Sequence, residues 1–186
     1  IHRISGTDSP REVDLNLAAK SSSQLVPLLG HPNKWHRQTT VRLLGERRDP
    51  GVIPHLRALV ASNTHPASLN ALWALHQAGD LDSPTTLTGL RHPSASVRLW
   101  TVRFLGDSFG VHRNLGLTGV GQTERPVPAP VFEALLEQAR IEPDAEVRSQ
   151  IASTARRLVT PQALALADVV LRHTEDLDDP FTPLLA

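Results

Sequence analysis

The strongest constraint on this chain is a pattern that returns. His31-Pro32 is followed, thirteen residues after its proline, by Gly45. At the same interval His65-Pro66 leads to Gly79 and His92-Pro93 to Gly106. Between the first and third copies the match is dense: Arg37, Thr40, Val41, Arg42, Leu44 and Gly45 correspond to Arg98, Thr101, Val102, Arg103, Leu105 and Gly106. A fourth copy at Glu142-Pro143 keeps Val147 and Arg148 and has Arg156 where the others have glycine. The starts are separated by 34 and then 27 residues. Self-similarity on that scale marks an array in which each unit buries its apolar face against the next.

Each copy reads as a start, a few turns of helix and a stop. Proline is tolerated in the first helical turn, where its missing N–H would have no partner. A glycine about twelve residues on can take the left-handed conformation that closes a helix. Histidine before proline is a poor cap, so Asn33 and Ser94 are expected to move the cap inward. Partner helices fill the intervals. Val52, Ile53, Leu56, Leu59 and Val60 form a helical stripe after Asp49-Pro50, and Val131, Leu135, Leu136 and Ala139 form another. Leu164, Ala167, Val170 and Leu171 give a third, and Leu87 and Leu90 hold a short one near 83–91. Residues 22–29 read as a capping helix begun by the Ser21-Ser22-Ser23 run. The pattern predicts an all-α superhelix, a HEAT- or armadillo-like solenoid of about four helix pairs, over residues 21–186. Residues 1–20 read as a linker or the tail of a preceding domain, and 107–130 as a long Gly- and Pro-containing insert. Asp179-Pro180 opens a fifth unit with no following helix, which predicts a truncated C-terminal repeat with an exposed apolar face, open to self-association.

Composition narrows the function. Three Trp, four Phe and no Tyr are few rings for a compact globule, and suit a thin core spread along a stack. Trp35, Trp73 and Trp100 fall at helical positions of the repeats and are expected in that core. The absence of Cys excludes disulfides, thiolate metal sites and a cysteine nucleophile. No stretch approaches the roughly 20 apolar residues of a membrane span, and no signal peptide is recognisable, so no membrane contact is expected. A chain that starts at Ile1 and holds no Met is read as a piece of a longer polypeptide. Net charge is zero, yet residues 31–63 carry six basic and two acidic side chains, and 133–186 carry five basic and ten acidic. The overall balance argues against a general nucleic-acid binder.

No motif carries recognisable chemistry. The nine histidines lack the helical spacing of a metal pair, and three of them recur because they open repeats. Gly116, Gly119 and Gly121 lack the lysine and preceding strand of a phosphate loop. Asp176, Asp178 and Asp179 lack the glycine and final glutamate of a calcium loop, and read as a solvated acidic turn. No cofactor is expected. The arginines are the exception worth following: Arg37, Arg42, Arg98 and Arg103 occupy equal repeat positions and would align into a ladder. Such a ladder either bonds carbonyls and carboxylates of adjacent repeats or lines an anionic groove.

His31-Pro32-Asn33-Lys34-Trp35, the stretch Val41 to Asp49, Ala71-Leu72-Trp73-Ala74-Leu75 and the closing Asp178-Asp179-Pro180-Phe181 resemble the helical-repeat region of membrane-bound dehydrogenase-like proteins of planctomycetes and verrucomicrobia. In those proteins HEAT repeats lie between a sugar-dehydrogenase-like β-propeller and a c-type haem domain, and Ile1-His2-Arg3-Ile4 resembles the end of such a propeller. The resemblance implies an exported or periplasmic parent with oxidoreductase chemistry, none of it in this chain, which lacks the Cys-x-x-Cys-His signature. The reading is therefore a non-catalytic scaffold that contacts protein, either other domains of its parent or a partner. The alternative is an anion- or nucleic-acid-binding module that uses the arginine ladder.

Overall fold

The computed structural model describes residues 15–109 and 125–176. Among them nine α-helices and four short 3-10 turns follow one another without a strand. The helices are α1 (Ser22–Leu25), α2 (Lys34–Arg47), α3 (Ile53–Ala61), α4 (Ala67–Ala78), α5 (Ser83–Leu90), α6 (Ala95–Phe109), α7 (Ala129–Ile141), α8 (Ala145–Ala155) and α9 (Thr160–Val170). α2, α4, α6 and α8 begin just after the four repeat prolines and pack in series as one row. α3, α5, α7 and α9 form the second row. Across the rows the closest chain-consecutive packing is α3 on α4, α5 on α6 and α8 on α9. The architecture is the expected all-α, HEAT-like solenoid.

The helix starts follow from local hydrogen bonding. Ser21 and Gln24 form a reciprocal capping box on α1, and Asn33 Oδ1 accepts the Trp35 amide at 2.9 Å to cap α2. The histidines before proline contribute more than expected. His31 Nδ1 accepts the Asn33 amide and His92 Nδ1 accepts the Ser94 amide, both at 3.0 Å. The acceptor role leaves Nε2 of a neutral His92 ring carrying the proton, and that nitrogen lies 2.9 Å from the Ser62 carbonyl. Glu142 repeats the device, with Oε1 accepting the Asp144 amide at 3.1 Å.

The repeat glycines divide into two kinds, which corrects the idea that all three close helices. Gly79 does so, with φ of 79° at the end of α4. Gly45 and Gly106 lie inside α2 and α6, and α2 is closed by Arg48 in the left-handed region. A Cβ on Gly45 would stand 2.6 Å from Gln77 Cβ, and one on Gly106 3.2 Å from Thr154 Cγ2. These two glycines let neighbouring helices of the first row approach closely. Gly89 of α5 does the same against Thr101 of α6.

The core runs along the stack as two clusters that meet at α6. Leu72 and Leu75 of α4, Leu56 of α3 and Leu17 near the start are almost wholly buried. Arg47 donates to the carbonyls of Ala18 and Lys20, fastening the turn at Leu17–Ala19 onto the end of α2. Three expectations need correction. Trp35, in the first turn of α2, is exposed rather than core. α9 buries Leu166, Val169 and Val170, while Leu164 and Leu171 of the expected stripe face solvent. Asp176 is 7% exposed, not a solvated turn residue. Asp178, Asp179 and the expected fifth unit lie outside the described residues, as do most of the 107–130 insert and residues 1–14. The flanks of the insert are helical through Phe109 and from Ala129.

Candidate functional site

The repeat position of Arg37, Arg98 and Arg148 carries the same hook three times. Each arginine turns back to the loop that opens its own helix. Nη1 of Arg37 donates to the His31 and Pro32 carbonyls at 2.7 and 2.8 Å. Nη1 of Arg98 donates to those of His92 and Pro93 at 2.9 and 3.0 Å, and Nη1 of Arg148 to that of Glu142 at 3.0 Å. The Nε–Nη2 edge of the same guanidinium then points along the stack. In Arg98 it holds Glu142 bidentately, at 2.8 and 2.6 Å, and in Arg148 it holds Asp176 the same way. α6 is thereby tied to the loop before α8, and α8 to the turn after α9.

Burial raises the stakes of these pairs. Arg98 is 8% exposed and Glu142 1%. Desolvation pushes the Glu142 carboxyl upward, but hydrogen bonds from Arg98, Gln138 and the Asp144 amide outweigh it and hold the carboxyl below the ordinary 4.5. The bond to Glu142 raises Arg98 further, so both partners stay charged.

Arg37 differs from the other two. It is half-buried, its hook to the loop carbonyls is intact, and its Nε and Nη2 have no carboxylate or other hydrogen-bond partner among the described residues. The next repeat places His65 where Glu142 stands for Arg98. Arg37 and His65 line an open groove of about 430 Å³ between α2 and α4. Lys34 and Gln38 stand on one side of it, Leu69 and Trp73 on the other. Among the described residues, no acidic side chain lines it.

An aromatic strip continues from this groove onto α6. Trp73 and Trp100 meet edge to face, with centroids 4.3 Å apart, and Trp100 contacts Phe104 at 5.6 Å. His76 stacks on Phe104 at 3.7 Å and 8°. Burial lowers the His76 pKa against the pull of Asp107, so the neutral ring is favoured. Trp73 and Trp100 are thus half-buried in a surface strip rather than enclosed in the core.

The other two arginines of the ladder are exposed. Arg42 bonds Glu46 one turn on, at 2.9 and 3.0 Å, and Arg103 lies 3.6 Å from Asp107. Asp107 also takes Arg157 of the next repeat at 2.7 Å. Sequence reasoning passed over Glu142 and Asp176 as partners. The available signal was that Glu142 places a carboxylate where the other copies have histidine. No group of three or more potential metal ligands occurs among the described residues. No described helix is long and apolar enough to cross a membrane.

A family profile described as HEAT repeats matches residues 22–106. That stretch is a HEAT-repeat region. Neither a curated protein nor a solved structure matches the chain. The HEAT match ends at Gly106 in α6, while the arginine hook recurs beyond it at Arg148.

Proposed function

We propose that this chain is a non-catalytic HEAT-repeat scaffold that presents its α2/α4 groove and the adjoining aromatic strip to another protein. The observation that carries the reading is the groove itself, an open surface with half-buried Trp73 and an arginine edge that has no partner among the described residues. Helical-repeat stacks expose long continuous faces, and half-buried tryptophans and arginines are the side chains that dominate protein contacts. Following the resemblance, the chain is a spacer within a larger exported oxidoreductase-like protein, and the other domains of that parent are among its partners.

The ladder read as a nucleic-acid groove has less support. Arg98 is occupied by Glu142 below the surface, and the exposed Arg42 and Arg103 have carboxylates one turn away.

A photo-crosslinking amino acid at Gln38, beside the groove, tests the scaffold reading in the native host, with Glu133 of α7 as the control position. Discrete protein adducts from position 38 and none from 133 are expected. Absence of adducts from both positions would contradict it. The size of the native polypeptide and its haem stain in an exported fraction test the spacer reading.

A further inference from the structure

We propose that the α2/α4 groove binds a carboxylate side chain of a partner polypeptide, held bidentately on the Nε–Nη2 edge of Arg37. The inference rests on the scaffold reading and names the chemistry of the contact. Its warrant lies inside the molecule. Arg98 and Arg148 show what this repeat position does when its rung is complete: the loop carbonyls fix Nη1, and a carboxylate takes the other edge. Arg37 is fixed, as Arg98 is, by the two carbonyls of its opening loop, so its remaining edge is held in place before any ligand arrives. A guanidinium already immobilised loses little entropy on binding, and its fork matches a carboxylate. The residue that would complete the rung internally is His65, which offers no carboxylate.

The surroundings favour an acidic peptide segment. Lys34 adds a second positive charge at the groove, no acid among the described residues lines it, and residues 31–63 carry a surplus of four positive charges. Leu69 and Trp73 supply an apolar wall for the carbon stem or an apolar neighbour of the bound residue. Nucleic acid would need a longer track of cations than Arg37 and Lys34 provide.

The test uses fluorescence anisotropy of a labelled, end-blocked short peptide of alternating Leu and Glu, with its Leu/Gln twin, against the whole chain. The Glu peptide is expected to bind about tenfold or more tightly than the Gln twin, as a charged hydrogen-bonded contact predicts. Arg37→Ala should bring the two peptides level, Arg37→Lys should recover little because the fork is lost, and Arg42→Ala should change nothing. His65→Glu should install the missing rung, abolishing binding of the Glu peptide and raising Tm. This last variant answers the question even if Arg37→Ala fails to fold. Equal binding of the Glu and Gln peptides would overturn the carboxylate assignment and leave the scaffold reading standing. Binding that survives His65→Glu, failure of the Glu peptide to bind, or its displacement by a single-stranded oligonucleotide would each overturn the assignment too. The scaffold reading itself stands or falls on the crosslinking at position 38.

Discussion

Arg98 is buried against Glu142, while Arg103, further along the same helix, stays exposed beside Asp107. The difference decides their energetics. Removing either Arg98 or Glu142 strands a buried charge, so Arg98→Ala and Glu142→Ala should each cost about 3–5 kcal/mol in urea denaturation. Arg103→Ala should stay within about 0.5 kcal/mol of the parent chain. The Glu142 carboxyl also predicts a pH dependence. Its folded pKa is held below the ordinary 4.5, so its stabilising contribution is present above 4.5 and is lost as pH falls through the folded value. Wild-type Tm should fall on acidification below 4.5, and Glu142→Gln should flatten that part of the curve. Parallel curves would show that the carboxyl is not depressed. The equivalence of Arg37 and Arg98 was legible in the sequence, since both follow a His-Pro by the same interval. Their different occupancy was not. It depends on whether the next repeat opens with His65 or Glu142, and the two halves of the Arg98 rung lie in different repeats.

The elements themselves were more legible, sometimes for the wrong reason. Pro32, Pro93 and Pro143 stand two residues before the first residue of α2, α6 and α8, and Pro66 is itself the N-cap of α4, so the prolines mark the helix starts from just outside the helix and not from its first turn. Gly45 and Gly106 signalled the repeat correctly but serve packing between neighbouring helices of the first row, not helix closure. Periodicity cannot tell the two uses apart, since both place glycine near a helix end. Stability measurements can. Gly45→Ala should destabilise by about 1–3 kcal/mol despite alanine's better helix propensity, because the added Cβ meets the stem of Gln77. Gly79→Ala should cost about 1–2 kcal/mol through its left-handed backbone instead, with open space around the new methyl. In α9 the apolar residues outnumber one stripe, so the pattern fitted two faces. Packing against α7 and α8 chose Leu166, Val169 and Val170.

At the scale of the whole molecule, the helices of the described residues pack most closely on their neighbours along the stack, and the Arg98–Glu142 rung fastens successive repeats. Leu164 and Leu171 leave an apolar patch on α9, with exposures of 67% and 56%. We propose that this patch supports self-association, and Leu164→Glu with Leu171→Glu should shift sedimentation velocity profiles toward monomer if it does. A stack of this kind has nearest-neighbour stability, so damage should stay close to where it is made. Hydrogen exchange measured by mass spectrometry on Asp176→Asn tests that claim most directly, because the change removes one rung between α8 and the turn after α9. The account predicts faster exchange in α8 and α9 with α2, α3 and α4 unchanged. An equal loss of protection along the whole chain would contradict it.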